Sequence, residues 1–195
     1  MAASLRPELA RIVAEHYLQT RNWTVVKNRI LSSNALQART QSSAIRMERE
    51  LRNRLAMLTE GQLTLLATGT AEDRNAMAWL GAIKHVSFAF EFASEVLREK
   101  LALQDPILRP SDYESFIDHK SVSHPELAKL KSTSKYKVRQ ILLRMLTEAE
   151  ILTEGTALGT ISRPLLSPLA VKVINSDDSG WLAGFLVPDI EIGLV

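Results

Sequence analysis

Cysteine is absent from the 195-residue sequence. This absence excludes disulfides, thiolate metal sites and a cysteine nucleophile, so the protein needs no oxidising compartment. Long apolar runs are also absent. The most apolar stretch, 77–92, contains Lys84, His85 and Glu91, and it is shorter than the roughly 20 residues of a membrane-spanning helix. The first residues have no pattern of an export signal. We therefore expect a soluble cytoplasmic protein with no membrane partner.

Catalytic motifs are missing as well, since the sequence has neither a glycine-rich phosphate loop nor a nucleophile elbow. Asp118, His119 and His124 stand close together, but the spacing of the two histidines matches no firm metal-ligand pattern. Glu148 and Glu150, near a predicted helix end, are typical of a solvated face rather than of acid–base catalysis. We therefore predict that the protein is not an enzyme and has no catalytic residues, metal or cofactor.

Positive charge is unevenly distributed, although the net charge is only +2. Residues 21–54 contain eight basic and two acidic side chains, and residues 127–146 contain six basic side chains and no acid. The remainder, from 147 to the end, has seven acids and two bases. Two separate positive blocks indicate a polyanionic partner.

The spacing of apolar residues predicts a mainly α-helical protein. Helices are expected at 7–19, 24–31, 42–58 and 60–67, followed by a long core helix over 71–103 that bends at Gly81. Pro106 and Pro110 then break the helical pattern and predict a boundary. We expect a helical bundle over 1–104 and a winged-helix-like module over 111–195.

Helices at 111–120, 125–130 and 132–152, joined by tight turns, match the helix-turn-helix pattern. Strands are expected at 157–162 and 182–187, on either side of a helix at 167–174. This short β element near the C-terminus would form the wing of the module.

The predicted helix at 132–152 has an apolar side and a cationic side. Lysine and arginine neutralise phosphate, glutamine can pair with an adenine edge, and a helix N-terminus favours phosphate. In helix-turn-helix proteins this end of the second motif helix enters the DNA groove. The candidate nucleic-acid-binding residues here are Lys131, Thr133, Lys135, Lys137, Arg139, Gln140 and Arg144. Because no acid interrupts the block, a nucleic-acid contact is favoured over a merely solvated surface, and an acidic protein surface is the next alternative.

The helix at 42–58 has a second row of basic and polar side chains, spaced to follow a phosphate backbone. The candidate residues are Arg39, Ser42, Arg46, Arg49 and Asn53. Glu48 and Glu50 are adjacent in sequence to the arginines of this row. A solvated surface with internal ion pairs therefore remains as good an interpretation as a DNA contact.

Several segments together resemble the BrxA family of BREX bacteriophage-defence systems. They are NALQAR at 34–39, SAIR at 43–46, EVLREK at 95–100, Asp112, Phe116, HPEL at 124–127, STSK at 132–135, KVRQIL at 137–142 and PLLSP at 164–168. The resemblance implies a NusB-like helical N-terminal part, duplex DNA binding and action beside other BREX proteins.

The function expected from the residues and the resemblance is sequence-tolerant binding of double-stranded DNA, dominated by phosphate contacts. Two alternatives remain open. The basic blocks are also compatible with a protein–protein adaptor that docks an acidic partner in a defence complex. RNA binding is a further possibility that rests on analogy with the NusB-like fold alone.

Overall fold

A computed structural model describes residues 4–123, 127 and 129–193. Its helices are α1 (Pro7–Thr20), α2 (Trp23–Ser32), α3 (Gln41–Leu55), α4 (Glu60–Thr68), α5 (Ala71–His85), α6 (Ser87–Glu91), a π-helical segment (Phe92–Leu97), α7 (Arg98–Ala102), α8 (Pro110–Ser123), α9 (Ser132–Glu148), α10 (Pro168–Asn175), a 3-10 helix (Ser179–Phe185) and α11 (Asp189–Ile192). The strands are β1 (Ile107–Leu108), β2 (Leu152–Thr153) and β3 (Gly159–Ile161). The expected mainly α-helical fold is confirmed. In the part of the chain described, no helix combines the length and hydropathy needed to cross a bilayer.

The chain folds into two compact units. The N-terminal unit comprises Leu5–Ser87 and Leu165–Trp181, and the C-terminal unit contains Phe88–Pro164 and Leu182–Val195 together with Ser4. The chain thus returns once to the N-terminal unit through α10. The division into domains at 1–104 and 111–195 stays a prediction.

Helix α5 is the central element of the N-terminal unit and is buried along most of its length, including Trp79 and Leu80. Capping boxes fix the start of α4 at Thr59 and the start of α5 at Thr70, because each threonine bonds a backbone N–H three residues later. Helices α1 and α3 pack against α5, and α1 packs against α4. The N-terminal unit is therefore a helical bundle with α5 at its centre.

The expected single helix over 71–103 is wrong. Helix α5 ends at His85, and Val86 is extended at φ −129° and ψ 92° before α6 begins. The β-branched side chain of Val86 suits that extended conformation. Gly81, the predicted bend, lies inside a regular α5, where a Cβ would be only 3.2 Å from the backbone oxygen of Arg54. This glycine permits the close approach of α3 and α5.

The C-terminal unit contains α6 to α9 and the whole sheet. The order along the chain is helix, β1, α8, α9 and then the antiparallel pair β2–β3, with β3 between β1 and β2 in the sheet. Ile107 pairs with Thr160, and Leu152 pairs with Ile161. The ring of Phe92 packs edge-on against two aromatic rings of α8. The sheet and these aromatic contacts fix the direction of α8 and the end of α9.

The elements expected in the C-terminal part of the sequence are confirmed in two cases and wrong in one. The helix at 167–174 is confirmed as α10, and a strand within 157–162 is confirmed as β3. The strand at 182–187 is wrong, because Ser179–Phe185 is a 3-10 helix that is buried from Leu182 onward. A short apolar run has no periodicity that separates a buried strand from a buried helix. The expected helix at 125–130 falls largely outside the described residues.

Candidate nucleic-acid interface

Helix α9 is anchored by three fully buried apolar side chains: Leu142, Met145 and Leu146. The expected N-cap at Ser132 or Thr133 is wrong, because Lys131 occupies the cap position in an extended conformation without a side-chain cap bond. The helix ends at Glu148 rather than at 152, since the chain turns through a positive φ at Glu150 and enters β2. Its first turn therefore keeps backbone N–H groups that no side chain caps.

Most candidate side chains on α9 are exposed, namely Lys131, Thr133, Lys137, Gln140 and Arg144, while Lys135 and Arg139 are half-buried. Among the described residues, no carboxylate lies within 4.0 Å of the Nζ atoms of Lys131, Lys135 or Lys137. The first half of α9 therefore presents lysines that are available to an external anion.

Three other candidates on α9, Arg139, Gln140 and Arg144, already contact neighbouring side chains. Arg144 Nε lies 3.3 Å from Glu148 Oε1, although its side chain is 72% exposed. Gln140 Nε2 donates to the Tyr136 hydroxyl at 2.6 Å, and the Arg139 guanidinium lies 5.5 Å from the centre of the Tyr136 ring. These contacts orient Arg139 and Gln140 before any ligand arrives.

Helix α3 carries the second group of candidates. Thr40 caps the helix by accepting a hydrogen bond from Ser43 N at 3.2 Å, so the expected cap at Ser42 or Ser43 is wrong. The Ser42 hydroxyl instead lies 3.1 Å from the Thr40 hydroxyl. Asn53 is half-buried, whereas Ser42 and the three candidate arginines of this group are exposed.

The two acids of α3 pair with arginines that were not candidates. Arg52 Nε donates to Glu48 at 2.8 Å, and Arg54 Nη2 donates to Glu50 at 3.1 Å. In the described part of the chain, Arg39, Arg46 and Arg49 take part in no ion pair. Glu48 and Glu50 therefore do not form ion pairs with Arg39, Arg46 or Arg49, although they are close to Arg46 and Arg49 in sequence.

The structure places the candidates on two surfaces, one in each unit. Arg39, Ser42, Arg46, Arg49 and Asn53 lie on or beside α3 in the N-terminal unit. The other seven lie on or beside α9 in the C-terminal unit. Each surface is long enough for several phosphate contacts, because a turn of helix advances about 5.4 Å.

A cleft beside α9 was missed by sequence reasoning. It has a volume of about 430 Å³, lies between α8 and α9, and is lined by Tyr113, Glu114, Ile117, Asp118, Ser132, Lys135, Tyr136 and Arg139. Burial raises the pKa of Tyr113 to about 12, and the nearby Arg139 charge offsets only part of that rise. The signal in the sequence was a pair of acids four residues apart in α8 and a pair of bases four apart in α9. Only their packing reveals that both pairs line one space.

Within residues 4–123, 127 and 129–193, no group of three His, Asp or Glu side chains is close enough together to hold a metal ion. Asp118 and His119 are exposed on α8, and His124 lies outside the described residues.

Comparison with known proteins gives one family and one fold. The family model described as BrxA matches residues 3–178. A "BREX protein BrxA" from Bacillus cereus (strain H3081.97) is 27% identical over 162 residues, which cover 83% of this chain and 81% of that protein. A second "BREX protein BrxA", from Escherichia coli O9:H4 (strain HS), is 26% identical over 140 residues, covering 72% of this chain and 66% of that protein.

The fold also occurs in a solved structure. The crystal structure of an uncharacterized protein from Magnetospirillum magneticum aligns with a TM-score of 0.81, at 18% identity and over 94% of both chains. At that identity the likeness shows the fold alone. The family match covers most of the sequence and is independent of that alignment. This chain therefore belongs to the BrxA family.

Proposed function

We propose that this protein is a non-enzymatic, sequence-tolerant, duplex DNA-binding component of a BREX phage-defence system in the cytoplasm. Membership of the BrxA family supports the link to BREX, since the relatives from Bacillus cereus and Escherichia coli are both described as BREX proteins. The DNA-binding part of the proposal rests on the two cationic helices.

The observation that carries the proposal is the unpaired lysine surface at the start of α9. Lys131 and Lys137 are exposed, Lys135 is half-buried, and the described residues offer them no carboxylate. An uncapped helix N-terminus adds free N–H groups and a partial positive charge at the same end. Lysine contacts of this kind neutralise phosphates without reading sequence, which makes the binding sequence-tolerant.

The order of elements supports a winged-helix mode of docking. A helix, β1, α8 and α9 are followed by the hairpin β2–β3, with β1 pairing to β3. In this arrangement α9 is the recognition helix and the turn between β2 and β3 is the wing. The N-terminal half of α9 would then lie in or over a groove.

Helix α3 supplies a second set of phosphate contacts in the proposal. Arg46 and Arg49 are exposed one turn apart, and Arg39 precedes the helix. Arginine can bond a phosphate through two parallel N–H groups, which makes such a row suited to a nucleic-acid backbone. These residues would contribute affinity rather than sequence preference.

A mobility-shift titration across salt concentrations tests the proposal. Binding that uses about six phosphate contacts loses on the order of 10³-fold in affinity between about 50 and 200 mM salt. The double variant Lys131→Ala/Lys137→Ala should bind more weakly, with a salt slope shallower by about two. The matched control Lys27→Ala/Lys172→Ala removes the same charge from exposed positions outside both surfaces and should leave the slope unchanged.

No retardation of any duplex by the unaltered protein at the lowest salt would overturn DNA binding. The same slope for both double variants would overturn the phosphate contacts at the start of α9. Competition with an RNA duplex of equal length decides between DNA and RNA as the preferred partner. Recovery of unaltered DNA from the complex, with Mg²⁺ present, tests the non-enzymatic part of the proposal.

A protein–protein adaptor is the second candidate function, favoured by exposed apolar side chains at the start of α10. Leu165 is 89% exposed and Leu169 is 52% exposed, and they lie four residues apart. Contiguous exposed apolar surface is typical of protein contact sites, and in this alternative both leucines belong to one such surface. Co-purification with another BREX protein that survives nuclease treatment and is lost in Leu165→Ser/Leu169→Ser would support the adaptor.

A further inference from the structure

The cleft between α8 and α9 has the size of a small-ligand site. Its volume of about 430 Å³ falls within the range of roughly 300–1,000 Å³ for pockets that bind small molecules. Its floor and walls combine apolar surface with charged groups of both signs. The side chains that matter for the argument are Tyr113, Glu114, Asp118, Lys135, Tyr136 and Arg139.

Opposite charges line the cleft without closing it. Glu114 and Asp118 are exposed on α8, and Lys135 and Arg139 line the cleft from α9. Among the residues described, none of these four side chains forms an ion pair within 4.0 Å. A ligand that donates hydrogen bonds at one edge would pair with the two carboxylates, and negative charge at its other edge would pair with Lys135 and Arg139.

Aromatic surface favours a flat ligand. Tyr136 is half exposed, and the Arg139 guanidinium lies 5.5 Å from its ring centre and 6.0 Å from the ring centre of Tyr113. Tyrosine rings and arginine planes are the surfaces on which unstacked bases pack. The Tyr113 hydroxyl, at the buried wall, has no hydrogen-bond partner among the described residues.

We propose that this cleft binds one unpaired nucleobase that has an exocyclic amino group, and cytosine, compared with thymine, is the base that tests the proposal. The base would stack on Tyr136 and Arg139, donate its amino hydrogens to Glu114 or Asp118, and place its phosphate near Lys135. The inference rests on the proposed nucleic-acid function in so far as the base belongs to a DNA strand. The protein would then have a site that binds an unpaired nucleotide beside a surface that binds paired DNA.

The carboxylates predict which bases are accepted. An ionised carboxylate can only accept hydrogen bonds, so it suits the N4 amino group of cytosine. Thymine presents a carbonyl oxygen at the corresponding position, and that oxygen would face the carboxylate unfavourably. The cleft therefore distinguishes cytosine from thymine by the sign of one hydrogen bond.

The test uses duplexes that are identical except for one extra nucleotide in one strand. We expect the unaltered protein to bind the duplex with one unpaired cytosine about tenfold more tightly than the fully paired duplex, and also more tightly than the duplex with one unpaired thymine. In Glu114→Gln/Asp118→Asn both preferences should disappear. Affinity for the fully paired duplex should stay the same or rise, because two negative charges beside the phosphates are removed.

A matched control variant loses the same two negative charges at positions away from the cleft. Glu99→Gln/Asp178→Asn alters exposed acids elsewhere and should retain both preferences. Thermal unfolding of each variant checks that the fold is kept. Cytidine monophosphate, titrated alone, separates a free nucleotide from a base held in a strand. Binding of the free nucleotide that is lost in the cleft variant supports the same site.

The outcomes separate this inference from the proposed function. A salt-dependent shift of paired DNA without any cytosine preference overturns the cleft and leaves DNA binding intact. Preferences that persist in Glu114→Gln/Asp118→Asn also overturn it. Conversely, cytidine monophosphate binding that needs Glu114 and Asp118, in a protein that retards no duplex, supports the cleft and overturns DNA binding.

Discussion

Glu48 is fully buried in α3, and its Oε1 accepts a hydrogen bond at 2.8 Å from Nε of Arg52, one turn further along the same helix. Glu48 Oε2 has no hydrogen-bond partner among the described residues. Glu48, which is next to Arg49 in sequence, is therefore turned inward and does not neutralise the outer face of α3. The pair belongs to the stability of the N-terminal unit and leaves the outer arginines to the solvent.

Removing Arg52 should strongly destabilise the protein. Arg52→Ala leaves a buried carboxylate without its cation, and breaking a buried pair costs about 3 kcal/mol at the lower end of the usual range. The lower end applies because Arg52 is itself 28% exposed. Urea unfolding measures the change in the free energy of unfolding. Arg49→Ala, at an exposed position of the same helix, should change it by less than about 0.5 kcal/mol, and equal effects of the two variants would contradict this account.

Two glycines should respond in opposite directions to substitution by alanine. A Cβ at Gly81 would lie 3.2 Å from the Arg54 carbonyl oxygen, and the packed helices would have to separate. Gly81→Ala should therefore lower the free energy of unfolding by about 1–2 kcal/mol. A Cβ at Gly61 meets only Val173 Cγ1 at 3.7 Å, so Gly61→Ala should stabilise by up to about 1 kcal/mol. A stabilising Gly81→Ala would show that α3 and α5 are not pressed together there.

Asp105 should make stability depend on pH in the acid range. Hydrogen bonds from Arg109 Nη1 and Lys100 Nζ, both at 2.7 Å, hold the pKa of Asp105 well below its usual value. A depressed pKa stabilises the fold at pH values above the unfolded pKa of about 3.9. That contribution is lost as the pH falls from there through the folded pKa.

The difference in Tm between the unaltered protein and Asp105→Asn is therefore expected to be greatest near neutral pH. It should shrink steadily below about pH 4. Asp178→Asn, whose side chain accepts a bond from the Gly180 backbone, is the control for loss of an exposed carboxylate. A difference that is constant from neutral to acid pH would show that Asp105 gains nothing from its two cations.

Sequence reasoning predicted the features that depend on local periodicity. The amphipathic pattern of α9 placed Leu142 and Met145 inside and its lysines outside, as the structure has them. It could not place Glu48, because the direction of one acid on a helix depends on which side the neighbouring helices cover. It also missed β1 and β2, since strands of two residues are created by tertiary pairing and carry no period of their own.

The cleft was beyond sequence reasoning for a different reason. Its acids and its bases belong to separate helices, and each pair taken alone is typical of a solvated surface. Only the packing of α8 beside α9 gives the two pairs a common space. The aromatic contacts of Tyr113 and Phe116 with Phe92 hold α8 in that place, and such long-range contacts leave no local signal in the sequence.

Tyr113 offers a test of whether the buried wall of this cleft is built for stability. Its ring is packed against Phe92, yet its hydroxyl is shielded from solvent and has no partner among the described residues. A buried hydroxyl without a hydrogen bond costs about 1–3 kcal/mol. Tyr113→Phe should therefore raise the Tm of the free protein, because it keeps the ring and removes that cost. Tyr136→Phe removes an exposed bond to Gln140 and should leave the Tm almost unchanged. A lower Tm for Tyr113→Phe would mean that the Tyr113 hydroxyl has a hydrogen-bond partner in the folded protein.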